Sequence, residues 1–556
     1  MTMAVQAEKI DPVAIEVIRN KLDGIANEMQ LTLVRSAFSA IVKEGLDASA
    51  SMFTIEGETL AQALAIPIHL SALIPMVRHL LEKQPISAMQ EGDVYVMNDP
   101  YLGGTHIPDI AIMMPVFYEG RPIAICTAMT HHQDLGGMAP GSTPTNATDI
   151  FQEGLRLPLI KLREGYGPIN ETFMAILRQN VRIPDIVTGD LMAEISACSI
   201  GARRLTELAQ VYGGEFVTRV FNELLDRSER MTVEALKQLP HGTYSYEDWL
   251  DNDGVDVDRR IPIKVKVTIT DNTMEVDFTG TSPQVRGPFN CMPSGSLAAA
   301  SFALRAVTDP TQTIPNNGGC FRPLKLNLPV GSIVNPQEPA PVGCRAATIK
   351  RVTSALLGAL RQAAPTRVPA DTANEEVILH FGGKTSQGQR FVTSQILIGG
   401  NGASARGDGV DVIETDVTNC MNIPAEALEL ESPIRVHRAS FMPDSGGAGQ
   451  WRGGLGAALE YEILDGEVTI TYRGERHFCP AAGAAGGEAG QPATAEILRK
   501  DGEIQVIPSK QVARLMAGDR LHIRTAGGGG YGDPAARHPE RLQADIEDGK
   551  VTRTVA

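Results

Sequence analysis

Apolar residues at Ile15, Ile18, Leu22, Ile25, Met29 and Leu33 recur at steps of three and four, which places one apolar stripe on a helix. Asp11-Pro12 opens that helix with an acidic cap and a proline at its first position. Residues 49–62 read as a hairpin turning at Glu56-Gly57, residues 73–83 as a helix, and residues 93–97 as a short strand. Two apolar runs follow, residues 110–117 and 122–129, separated by Tyr118-Glu119-Gly120-Arg121. Two such runs around a glycine-containing connection predict a β-hairpin. From 170 to 239 the pattern is mostly helical, with Leu191, Ile195, Cys198, Ala202, Leu205 and Leu208 on one face.

Pro240-His241-Gly242 ends the helical stretch. Ile261, Ile263, Val265, Val267 and Ile269 then alternate with polar residues, and Asp271-Asn272 turns the chain into a second strand at 274–278. Residues 295–307 and 346–362 are apolar enough for buried helices. Past Val368-Pro369 the pattern is mostly β, with strands expected at 377–381, 391–398, 457–464 and 468–472 and one last helix at 539–548.

Composition narrows the function classes. A chain of 556 residues exceeds one ordinary core, so several domains are expected. The net charge of −16 argues against nucleic-acid binding. The first residues lack a basic segment followed by an apolar one, so no signal peptide is read there. The apolar stretch at 63–77 is interrupted by Pro67, His69 and Pro75 and does not read as a membrane span. Seven cysteines stand singly without a CxxC pair, which fits reduced thiols in a cytoplasm.

The chemistry concentrates on Asn98-Asp99-Pro100-Tyr101-Leu102-Gly103-Gly104-Thr105-His106-Ile107-Pro108-Asp109 and on Thr130-His131-His132-Gln133-Asp134. A turn centred on Gly120 puts Asp109 opposite His131, roughly 4.5–5.5 Å apart at Cα. His106 lies three residues before Asp109. Two imidazoles and a carboxylate at the open end of one hairpin suit a divalent metal. A fourth ligand would come from Asp47, His69, Asp99, His132 or Asp134. Because adjacent strand residues face opposite ways, His131 is taken as the ligand, and His132 is left to orient it or to touch substrate.

The glycine runs at 399–402, 446–454 and 527–532 lack the Lys-Ser/Thr of a phosphate loop and read as tight loops needing positive φ. Any nucleotide site is therefore expected on another polypeptide. Cys126 and Cys198 read as core residues. Cys291, Cys320 and Cys344 stand near turns with no histidine placed beside them.

The Asn98 to Asp109 stretch resembles the hydantoinase B/oxoprolinase family. Further matches are Leu60-Ala61-Gln62, Ile66-Pro67-Ile68-His69-Leu70, His131-His132-Gln133-Asp134-Leu135-Gly136-Gly137, Gly318-Gly319-Cys320-Phe321-Arg322-Pro323, Pro443-Asp444-Ser445-Gly446-Gly447-Ala448-Gly449 and the closing Gly527-Gly528-Gly529-Gly530-Tyr531-Gly532-Asp533-Pro534. The resemblance spans nearly the whole chain. It implies a β-type subunit that works with an A-type, ATP-Mg-binding subunit, as an (αβ)2 hetero-oligomer, on a small cyclic amide such as a hydantoin, oxoproline or a lactam.

It also implies a divalent metal, zinc first and manganese or iron next, on His106, Asp109 and His131. Asp47 of Lys43-Glu44-Gly45-Leu46-Asp47 would be the fourth ligand, although Gly45-Leu46 depart from the family's usual charged residues. His132 or Asp134 is expected as general base, with the partner subunit phosphorylating the amide oxygen either directly or through bicarbonate. Two alternatives stand beside this hydrolase: a subunit of an ATP-dependent ketone carboxylase, and a non-catalytic scaffold for the ATP-binding subunit.

The predicted architecture is α+β and mixed multi-domain. Residues 1–240 form a metal-binding α/β region with the hairpin and a helical segment, 241–370 an α+β middle region, and 371–556 a β-rich, glycine-loop C-terminal region.

Overall fold

A computed structural model describes residues 10–552. The N-terminal residues read for a signal peptide lie outside the described residues. The chain is α+β, with helices and four sheets among the described residues.

The first sheet has six strands in the order Thr59–Gln62, Ala48–Phe53, Arg121–His131, Asp109–Tyr118, Val94–Met97, Ile160–Arg163. Its central hairpin turns at Glu119 and Gly120, both at positive φ (49° and 73°). That is the backbone a two-residue hairpin turn demands. Helices Pro12–Ser36 and Pro184–Tyr212 pack together on one face, with Ile18, Leu22, Met29 and Leu33 buried. Each such side chain contributes about 1.5–3 kcal/mol on leaving water. Helix Pro67–Lys83 covers the other face, where Leu73, Met76, Met113, Ile125 and Met129 form their own cluster.

Alternation along the hairpin decides what each face carries. Ile125, Met129 and His131 follow one parity and face helix Pro67–Lys83, as Met113, Ala111 and Asp109 do on the facing strand. Thr130 has the opposite parity and meets Glu194 of helix Pro184–Tyr212.

The second sheet orders Leu324–Asn327, Met274–Asp277, Ile261–Ile269 and Gly242–Leu250, and helix Arg345–Ala363 packs on it. The hairpin at Asp271-Asn272 forms as expected. The strand Gly242–Leu250 and the parallel strand Leu324–Asn327 were not visible in the pattern, because their partners decide their state. Arg390–Leu397, Val377–Lys384, Glu467–Arg473 and Lys510–Met516 make the third sheet. Ile434–Phe441, Ala457–Ile463, Arg520–Arg524, Thr494–Leu498 and Ile504–Val506 make the fourth. These two share a hydrophobic cluster that includes Leu379, Phe381, Tyr461, Ile470 and Leu521. The largest cluster runs from Ile15 to Ile423 and so crosses the boundary at residue 240.

The glycine runs correct one expectation, which holds at Gly532 (φ 76°) but not along most of their length. Gly400, Gly453, Gly454, Gly527 and Gly528 are absent from the positive-φ positions. They are there for space: a Cβ on Gly400 would lie 1.9 Å from the Gly454 carbonyl oxygen, and one on Gly528 2.0 Å from that of Asn401. Glycine backbones from separate segments lie directly on one another, joined by bonds such as Gly528 N to Gly454 O at 2.9 Å.

Candidate metal centre

Asp109 and His131 are register partners, with Ile110 opposite Thr130 next along the hairpin. The loop that delivers His106 is held by Asn98, whose Nδ2 donates to Ile107 O (2.7 Å) and Leu155 O (3.0 Å). Asp99 is used up in the same loop. It caps Tyr101 N at 2.9 Å and accepts from Arg156 at 2.9 Å.

His106 Nδ1 lies 2.8 Å from Gly343 O, the bond of an Nδ1–H donor that leaves the Nε2 lone pair free. That Nε2 is 2.9 Å from Asp109 Oδ1 and 3.2 Å from His131 Nδ1. Asp109 Oδ1 is 3.4 Å from His131 Nδ1 and 3.6 Å from His69 Nε2. His69 Nε2 in turn is 3.4 Å from Asp47 Oδ1. The other carboxylate oxygen, Asp109 Oδ2, accepts from Arg345 Nη2 at 2.7 Å and from the Thr105 hydroxyl. Three donor atoms, on His106, Asp109 and His131, lie within 4.8 Å of one another, and all three residues are buried.

These spacings fit a cation. Four donors at about 2.0–2.2 Å around a tetrahedral ion stand roughly 3.3–3.6 Å from each other. The pairs above run from 2.9 to 3.6 Å. The electrostatics agree with the geometry. Burial, joined by the Arg345 charge, pulls the His106 pKa down to about 3. Burial pulls His69 down to about 4, so both rings keep free lone pairs at neutral pH. Burial works to raise the pKa of Asp109, but the Arg345 guanidinium opposes it and the carboxyl stays well below its usual range. Asp47 goes the other way, raised by burial and by the neighbouring Asp109 and Glu376 carboxylates.

His132 and Asp134 sit in different surroundings. His132 lies against Glu194, Nε2 to Oε2 3.5 Å, beneath helix Pro184–Tyr212. Asp134 receives Arg182 Nη1 (2.7 Å), Arg182 N (2.8 Å), Gly136 N (3.2 Å) and Gly141 N (3.3 Å), which fill its carboxylate. Residues that sequence patterning missed complete the site. Arg345 and Gly343 arrive from the start of helix Arg345–Ala363, and buried Glu153 anchors that turn through Gly343 N at 2.7 Å. The His380 ring stacks on His131 with centroids 6.4 Å apart and planes at 9°. None of these is close in sequence to the hairpin, so no local pattern marks them.

Fold and site define a class: an α+β chain of several sheets with a buried His/Asp cluster whose donor atoms could hold a cation. The profile of the hydantoinase B/oxoprolinase family matches residues 11–534. The B component of a putative D-/L-hydantoinase from Pseudomonas sp. (strain NS671) is 34% identical over 567 residues, covering 99% of this chain and 94% of its own. The β-subunit of the Pseudomonas jessenii caprolactamase is 33% identical, over 98% of this chain and 94% of its own. The crystal structure of the ATP-dependent caprolactamase from that organism superposes with a TM-score of 0.90 over 98% of this chain and 95% of the other. An acetone carboxylase structure reaches 0.87 over 97% of this chain and 78% of its own, at 20% identity, a likeness of fold. The chain belongs to the hydantoinase B/oxoprolinase family.

Proposed function

We propose that this chain is the β-type subunit of an ATP-dependent cyclic-amide hydrolase, carrying a divalent metal on His106, Asp109 and His131. Asp47 is the fourth ligand in this reading, with His69 beside it. The observation that carries the proposal is the convergence of the buried donor atoms of His106, Asp109 and His131 within 4.8 Å of one another, with Asp47 Oδ1 adjoining them through His69 Nε2 at 3.4 Å. It is supported by relatives named for hydantoin and caprolactam along almost the full chain.

The residues divide the work. Gly343 O holds the His106 ring so that Nε2 faces inward. Arg345 and Thr105 occupy Asp109 Oδ2 and turn Oδ1 toward the imidazoles. Burial removes water that would compete for the donors. When bound, the metal would polarise a carbon–oxygen bond and lower the pKa of water toward ~7. His132 and Asp134 act in this reading as supports for the strand end and the following loop, and zinc is the preferred ion for the mixed nitrogen and oxygen set, with manganese or iron next. Amide activation by ATP falls to an A-type partner subunit, directly or through bicarbonate.

Co-expression with an ATP-binding A-type partner, followed by ATP-dependent assays on hydantoin, 5-oxoproline and caprolactam, tests the proposal. Ring opening that requires both chains and ATP supports it. Incorporation of labelled bicarbonate into acetone without ring opening would move the chain to the carboxylase reading.

A further inference from the structure

The third sheet has two unlike faces. Val377, Leu379, Phe381, Val468, Ile470 and Tyr472 enter the hydrophobic cluster shared with the fourth sheet. The other face carries Ile378, Val392 and Ile396 and, among them, a group of polar residues. His380 pairs in register with Ser394 on one side and with Thr471 on the other. Arg473 follows Thr471 by two residues and so shares that face. A polar sheet face is ordinarily a wet one. Here Ser394, His380, Thr471 and Arg473 are at most 1% exposed.

Their hydrogen-bonding capacity is left open. His380 Nδ1 meets Ser394 Oγ at 2.7 Å, while its Nε2 has no partner. Thr471 Oγ1 has none, and neither do Nε, Nη1 and Nη2 of Arg473. The Cys344 thiol beside the guanidinium is a weak acceptor at best. Glu376 feels the charge but stands outside ion-pair distance. A guanidinium cannot shed its proton to escape burial, so leaving one unpaired is costly. The face looks onto the metal centre, since the His380 ring stacks on His131. The loop after His131 holds it there: a Cβ on Gly141, at φ +79°, would lie 2.3 Å from His380 Cγ.

We propose that Arg473, His380 and Thr471 form an oxyanion subsite opposite His131. Its ligand class is a compact anion that presents two or three oxygens to a guanidinium fork, a hydroxyl and an imidazole N–H. Resting on the cyclic-amide reading above, two sources share that chemistry: a phosphoryl group on activated substrate, and the carboxylate created when the ring opens.

Titration calorimetry on the full chain, metal-loaded and chelated, with inorganic phosphate and separately with acetate, tests the subsite. Arg473→Met should weaken binding of the preferred anion at least tenfold while leaving metal content unchanged, and Arg473→Lys should restore part of it. Thr471→Val provides a milder variant should Arg473→Met fold poorly, with a loss of a few-fold. Saturation by phosphate alone assigns the subsite to a phosphoryl group, and saturation by acetate assigns it to the product. Ligand-free Arg473→Met should melt no lower than wild type, because it removes an unpaired buried charge. Equal anion binding by wild type and Arg473→Met, or no binding of either anion by wild type, would overturn the proposal. Neither result depends on turnover, so failure of the hydrolase assay is read separately.

Discussion

Asp109 and His131 face each other across the hairpin, as paired residues of strands Asp109–Tyr118 and Arg121–His131, with Oδ1 and Nδ1 3.4 Å apart. The pairing is exacting. A slip of one residue would send His131 to the helix Pro184–Tyr212 face and bring His132 inward. The turn at Glu119-Gly120 and the buried rows on both faces hold the register.

The Thr105 hydroxyl donates to Asp109 Oδ2, so Thr105→Val removes an orienting bond and changes little else. Loss of such an outer contact costs about tenfold or more in metal affinity. Competition with a chromophoric chelator should show that loss. Arg345 is a poorer probe, since deleting its charge also favours any cation nearby and blurs the sign.

His132 and Glu194 form a buried pair, with the Glu194 pKa raised to about 7 by burial against the pull of His132. His132→Ala strands the carboxyl and should cost about 3–5 kcal/mol of stability. The double variant His132→Phe, Glu194→Leu should recover most of it. If His132 only supports the strand end, turnover and metal content recover with stability. Recovered stability with no turnover would return His132 to the chemistry.

Glu153 is fully buried and its pKa rises to about 8, chiefly through burial. Between the usual glutamate value of 4.5 and 8 the folded chain keeps a proton that the unfolded chain has lost. Stability therefore falls as pH rises through that window. Glu153→Gln removes this contribution. Melting curves at pH 5.5 and pH 8.5 (about one unit above the lower bound and half a unit above the upper) should show a smaller drop for the variant than for wild type. Parallel drops would contradict the assignment.

The site was legible to the extent that it is local. Period-two alternation and a glycine turn placed Asp109 opposite His131, and strand parity separated His131 from His132. The stripe from Ile15 to Leu33 marked its helix for the same reason, a period set by backbone geometry. Arg345, Gly343, His380 and Arg473 were not legible, because contacts across more than two hundred residues leave no mark on local spacing. The glycine runs announced an irregular backbone but not its cause, which is the close approach of separate backbone segments.

The central claim is that this chain holds a divalent metal on His106, Asp109 and His131. Elemental analysis of the purified full-length chain, wild type beside His106→Ala, tests it most directly. Wild type should hold about one equivalent of a divalent metal, as a single donor set requires, and the folded variant should lose it. A metal-free wild-type chain that opens cyclic amides at full rate with its ATP-binding partner would contradict it.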